Sequence, residues 1–263
     1  MEEREGFVKD SKVAFKGVLN GILGSVLYQL IILLLVSAVI TFSVGSRNPD
    51  ASSTELETLV NQVYNSFPVS ILISCLTSIA TLIVFVVIIK YDTFKELCRK
   101  AFNLKVLKYG CLCALCIMGV SILYNGLIEV IFNLEEGGNA NQENVVALIK
   151  SNALLGFLSV VILAPIVEEL TYRYCIFGGL IKYKKWMAYA VAGIVFMAMH
   201  GISSYMEAGA FNNAFLKELI YLPPYLFSGL ALAYVYDRTN NIGTSALAHA
   251  LNNLVSFLAI VCL

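Results

Sequence analysis

Apolar residues fall in long runs separated by short polar segments, not in the alternating or narrow-striped patterns of a water-soluble chain. The runs cover residues 21–44, 68–89, 109–132, 145–183, 186–202, 215–236 and 242–263. About 20 apolar residues in a helix are enough to cross a bilayer. The pattern therefore predicts an all-α, polytopic membrane helix bundle of about seven transmembrane helices, within a range of six to eight. It is expected to form a single integral membrane domain over 1–263, with motif-free spans in 1–145 and the chemistry-bearing helices in 146–263. The first run has the basic flank of a signal peptide, but it is too long for one and is expected to be retained.

Shorter features refine the layout. Residues 1–18 read as an interfacial helix or polar tail, 45–67 as a short amphipathic helix and 203–214 as a polar loop. The run 145–183 would reach well over ~50 Å as one helix, against a hydrocarbon core of about 30 Å. Pro165 lacks a backbone donor and is the expected break, with one helix ending near Leu163 and the next starting at Pro165. A kink is expected at Pro223-Pro224. No internal repeat or low-complexity tract is visible.

Composition agrees with the pattern: 59% hydrophobic, 14% charged and a mean hydropathy of +0.78. Soluble domains are nearer half apolar and a quarter charged. The formal net charge is zero, which gives no basis for nucleic-acid binding. With the N-terminus cytoplasmic and seven crossings, the inner segments hold fourteen of the eighteen Lys and Arg residues, and the outer ones only Arg47, Lys150 and Lys217. That asymmetry follows the positive-inside rule and points to a plasma membrane, most simply a bacterial one. Nearly all of the seven cysteines lie in or beside apolar runs. Cys113-x-x-Cys116 has no second pair to complete a zinc set, so reduced, packed thiols are expected.

Against this background three polar stretches stand out. Charged groups at membrane depth are costly and usually functional. Glu168, Glu169 and Arg173 lie in one apolar run, His200 in the next, and His249 with Asn253 in the last; the two histidines are the only ones in the chain. Helical spacing pairs Glu169 with Arg173, and Glu168 with Tyr172. Glu168 is left without a cation on its own helix, as suits a general base. Counted from the basic turn at Lys182–Lys185, Glu168 and His200 both stand about 21–23 Å away, so an antiparallel pair brings them to one depth. Phe196, four residues before His200, is placed to wall a pocket. His249 and Asn253 share a face and read either as paired neutral donors to an oxyanion or as interhelical hydrogen-bonding groups.

Taken together, Glu168-Glu169-Leu-Thr-Tyr-Arg173, Phe196-Met-Ala-Met-His200 and His249-Ala-Leu-Asn-Asn253, with Ala164-Pro165 before the acids, resemble the intramembrane CAAX-protease and bacteriocin-processing (Abi) family. The resemblance covers roughly 150–260. It implies peptide-bond hydrolysis, with Glu168 and His200 activating water, His249 and Asn253 holding the oxyanion, and Glu169 and Arg173 bracing the site. It also implies a membrane-associated or lipidated peptide or protein substrate, in contact with the lipid bilayer, and no cofactor. Zinc held by the histidines and a carboxylate is the alternative. Two other function classes are weighed. A non-catalytic immunity or scaffold protein need not keep base and oxyanion donors together, and a transporter would more often show repeat-related halves.

Overall fold

The computed structural model describes residues 12, 13, 15–23, 28–64, 66–132, 140–208 and 218–262. All regular elements among them are helical: α1 (15–23), α2 (Tyr28–Arg47), α3 (Ser53–Tyr64), α4 (Phe67–Ile89), α5 (Tyr91–Lys100), α6 (Leu104–Phe132), α7 (Ala140–Ser151), α8 (Ala153–Leu180), α9 (Lys185–Ala208), α10 (Pro223–Thr239) and α11 (Ile242–Cys262). The chain is thus an all-α polytopic membrane bundle. Among the described residues, five helices are long and apolar enough to cross a bilayer: α4 from Leu72, α6, α8, α10 with the turn preceding it, and α11. The other two spans counted from sequence correspond to α2 and α9, helices of 20 and 24 residues.

Two clusters of buried side chains hold the C-terminal half together. The larger runs from Ala114 and Ile117 on α6 through Phe177 and Leu180 on α8 to Phe196, Leu232 and Ala248. The second joins Phe85 and Ile89 of α4 to Val167, Leu170 and Cys175 of α8. Helix α8 belongs to both, so it sits at the centre with its charges.

The expected break at Pro165 is not there. The interruption falls earlier, at Asn152, which is extended (φ −159°, ψ 100°) and caps α8 by accepting from Leu155 N–H at 3.1 Å. From Ala153 the rod is continuous to Leu180, with π-helical stretches at Phe157–Leu163 and Leu170–Phe177. Ala164 N–H bonds Ser159 O, a five-residue step. In that register Pro165 would donate to Val160 O; having no N–H, it leaves that carbonyl free. Asn253 Nδ2 of α11 donates to Val160 O at 2.9 Å. A side chain from another helix therefore replaces the bond that proline lacks, and the helix passes through.

Two other expectations are corrected. Pro223 and Pro224 open α10 instead of kinking it, because the first turn needs no proline N–H; a short 3₁₀ turn, Leu219–Tyr221, precedes them. Helix α9 continues to Ala208 through the first half of the expected loop 203–214, since no glycine or proline occurs between 202 and 208 to stop it. Residues 209–214 of that loop lie outside the described residues, as do most of 1–18.

The segments expected on one side of the membrane do gather at one end of the bundle. Asn241 Nδ2 donates to Lys100 O at 2.7 Å, Lys185 pairs with Asp237 at 2.7 Å, and Gly17 lies against Gly179. At Gly17 a Cβ would fall 2.6 Å from Cys175 O, so this close approach of α1 to α8 requires glycine. At the other end Glu218 accepts from Ala140 N–H, and Tyr124 donates to Ile220 O. All seven cysteines are free thiols.

Candidate active site

Helix α8 presents its two carboxylates on different sides. Glu169 is wholly buried and pairs with Arg173, also wholly buried, at 3.2 Å, as the four-residue spacing required. Arg173 is further fixed by a hydrogen bond from Nη2 to Gly229 O (3.4 Å) and by the ring of Phe196, 4.7 Å from its guanidinium carbon. Glu168 keeps 26% of its side chain exposed, so it faces the open side of the site.

Phe196 is the hub. It is 2% exposed, and its ring meets Tyr172 edge-on (5.3 Å), His200 (4.5 Å) and His249 (5.7 Å). Its place depends on Gly229 and Gly193, where α9 and α10 cross; a Cβ on Gly229 would lie 3.1 Å from Gly193 Cα and 3.2 Å from Phe196 Cβ. The three motif stretches are brought together around this one ring, as the sequence expectation required.

The histidine environments differ in a way that sets their chemistry. His200 Nδ1 is 2.8 Å from Phe196 O. A carbonyl can only accept, so Nδ1 carries the proton and Nε2 offers a lone pair. The ring is clamped between Phe196 and Tyr225, which stacks on it at 4.5 Å and 23°. Glu168 lies within electrostatic reach of His200.

His249 is 5% exposed, with Nδ1 3.1 Å from Glu169 Oε1 and Nε2 3.9 Å from Glu168 Oε2. Against an ion-paired carboxylate, Nδ1 is the donor. A neutral His249 then has no second N–H, which departs from the reading of two neutral donors: it can donate from Nε2 only when protonated at both nitrogens. Asn253 spends one amide hydrogen on Val160 O and keeps the other.

Tyr225 escaped the sequence reading. It lies in the first turn after Pro223-Pro224, so the only local signal was an aromatic next to the prolines that start α10. Its hydroxyl accepts from Asn141 Nδ2 at 3.4 Å, linking the site to α7. Among the described residues, no three His, Cys, Asp or Glu side chains are grouped as a metal would need them. Both histidine Nδ1 atoms are turned to protein oxygens.

Residues 150–255 match the family model of type II CAAX prenyl endopeptidase Rce1-like proteins. That segment contains all seven motif residues, so the family resemblance read from them is shown for this part of the chain. Among curated proteins, the UPF0177 protein YxdF of Lactococcus lactis subsp. lactis (strain IL1403) is 30% identical over 93 residues. The match covers 35% of this chain and 43% of that protein, less than half of either. No solved structure matches.

Proposed function

We propose that this integral membrane protein is a CAAX-type intramembrane endopeptidase that uses Glu168 and His200 to activate water. The observation that carries the reading is the convergence on Phe196 of a histidine with an available lone pair and a second histidine held by a buried carboxylate, with the partly exposed Glu168 carboxylate 3.9 Å from the second. The matched segment supports peptide hydrolysis as the chemistry.

In this mechanism water sits between Glu168 and His200 Nε2. As its oxygen bonds to the peptide carbonyl carbon, its proton passes to the Glu168–His200 pair. The carbonyl electrons move onto oxygen, where the remaining Asn253 N–H and the Nε2–H of the His249 imidazolium meet them. Collapse of the intermediate breaks the C–N bond, and the held proton goes to the leaving nitrogen. Buried donors aimed at such an oxyanion are worth about 10²–10³ in rate each, and a positioned base about 10²–10⁴. Glu169 and Arg173 act through His249, holding its ring and balancing its charge. Glu168, Glu169, Arg173 and the His249 imidazolium sum to zero, which makes the cluster tolerable at membrane depth.

The substrate we propose is a membrane-associated or lipidated peptide or protein that enters from the bilayer. The enzyme would sit in a bacterial plasma membrane with its N-terminus cytoplasmic. Purified protein is to be incubated with a membrane-peptide library, comparing wild type, Glu168→Ala and chelator-treated samples. Cleavage lost in Glu168→Ala and untouched by chelator is the expected result. Loss with chelator and recovery with zinc would reassign Glu168 and the histidines as metal ligands, and equal products from wild type and Glu168→Ala would end the protease reading.

A further inference from the structure

At the end of the bundle where the basic segments gather, a cavity of about 320 Å³ opens between the end of α5, the start of α6, the end of α10 and the start of α11. Arg99, Lys100 and Lys105 line it, with Asn241 and Thr244. Lys100 is bonded to Glu96 at 2.5 Å, whereas Arg99 and Lys105 form no ion pair among the described residues. Two long helices, α6 and α11, begin at this cavity, so their positive ends add to the field of the side chains.

Thr244 supplies an independent observation. It is 0% exposed, lies on the cavity wall and has a hydroxyl with no hydrogen-bond partner. Other helical threonines of this chain, Thr77, Thr81, Thr171 and Thr239, return their hydroxyls to the carbonyl four residues back. Thr244 does not, and a buried hydroxyl left unbonded is costly unless a ligand meets it.

The walls are firmly set. Asn241 Nδ2 donates to Lys100 O at 2.7 Å, and a Cβ on Gly243 would fall 2.6 Å from both Cα and O of Ala101. The elbow between α5 and α6 is therefore locked against the start of α11, and the cavity keeps its shape. Cationic side chains, helix N-termini and a free hydroxyl donor form the donor set that a phosphate group takes.

We propose that this cavity binds a phosphate group, carried by an anionic phospholipid headgroup or by free phosphate. Bound there, the anion braces the first turn of α11 at Thr244, five residues before His249. Occupancy is independent of peptide cleavage.

Full-length protein is to be analysed by native mass spectrometry with added phosphatidylglycerol or phosphatidylcholine, and by thermal melts with inorganic phosphate. Two lost cations, at roughly fivefold each near anionic headgroups, should cut phosphatidylglycerol retention by roughly 30-fold in R99Q/K105Q. Thr244→Val, which keeps the side chain's shape, should cost about tenfold, and Thr244→Ser should restore binding. Variant-sensitive stabilisation by phosphate without phosphatidylglycerol retention would support the site and identify free phosphate as the ligand; the reverse would identify the lipid. Equal retention of both lipids, or equal binding by wild type, R99Q/K105Q and Thr244→Val, would overturn the proposal.

Discussion

Replacing Arg173 with Met and Glu169 with Gln, singly and together, separates the stability of the buried pair from its use. The two side chains are wholly buried and 3.2 Å apart, yet Arg173 Nε and Nη1 and Glu169 Oε2 have no hydrogen-bond partner. Such a pair gains less than a fully bonded one. Removing Arg173 alone leaves Glu169 with the His249 ring as its remaining ion-pair partner and the buried cluster with one excess negative charge, at a cost of about 3–5 kcal/mol. Removing both charges takes away the attraction and the desolvation penalty together, so the double variant should return to within about 1 kcal/mol of wild type. The coupling from this cycle is then at least about 2 kcal/mol, and the melting point of Arg173→Met falls by about 10 °C. Melts followed with a thiol-reactive dye suit this chain, because Cys75 and Cys175 are buried free thiols released on unfolding. Cleavage should stay down by about 10²-fold in Arg173→Met and in the double variant, because the group that holds the His249 ring has lost its arginine brace in one and its charge in the other. Additive stability losses, or a single variant within about 1 kcal/mol of wild type, would refute the account of the pair.

Gly229→Ala places a methyl 3.1 Å from Gly193 Cα and 3.2 Å from Phe196 Cβ, so α9 must move away with His200. We expect a loss of about 1–3 kcal/mol from overpacking, with cleavage falling more than the melting point would imply, as checked by paired melts and assays. Cys98 is exposed in α5, within the basic segment assigned to the cytoplasmic side. A membrane-impermeant maleimide should therefore label it in inside-out vesicles and not in intact cells; the opposite result would invert the topology. Glu55 and Ser52 form a reciprocal cap at the start of α3, with Ser52 N–H donating at 2.9 Å and its hydroxyl at 2.8 Å to the carboxylate. The backbone bond first, and the hydroxyl second, hold the Glu55 carboxyl below its usual range. Its contribution is present above the unfolded-state pKa and is lost as pH falls through the lower folded value. Amide protection in the first turn of α3 should drop in that acidic window, and Glu55→Gln should abolish the pH dependence.

The parts of the fold legible in the sequence were those fixed by rules that act along one helix. Crossings could be counted because lipid demands long apolar runs, and Glu169 could be paired with Arg173 because residues four apart share a face. The meeting of His200 with Glu168 was legible only as a matching of depths, and that of His249 with the acids only through the family resemblance. What escaped depended on contacts between helices. Pro165 read as a break because its lost bond was assessed within its own helix, whereas the replacement comes from Asn253, 88 residues later. Tyr225 carried no motif, and its role comes from where α10 sets it against the His200 ring. The tautomers of the two histidines likewise follow from their Nδ1 partners, a carbonyl for one and a carboxylate for the other.

The bond from Asn253 to Val160 has a bearing on when the site becomes ready. An asparagine amide is planar, so fixing one hydrogen on a main-chain oxygen also fixes the direction of the other. In the mechanism proposed above, the remaining N–H is aimed by the backbone of α8 as the protein folds, and no rotor has to be searched when a substrate arrives. The low reorganisation cost of this donor is thus a by-product of threading a proline through a membrane helix. Substituting Pro165 by a residue with its own N–H would supply a rival donor for Val160 O and set the amide swinging.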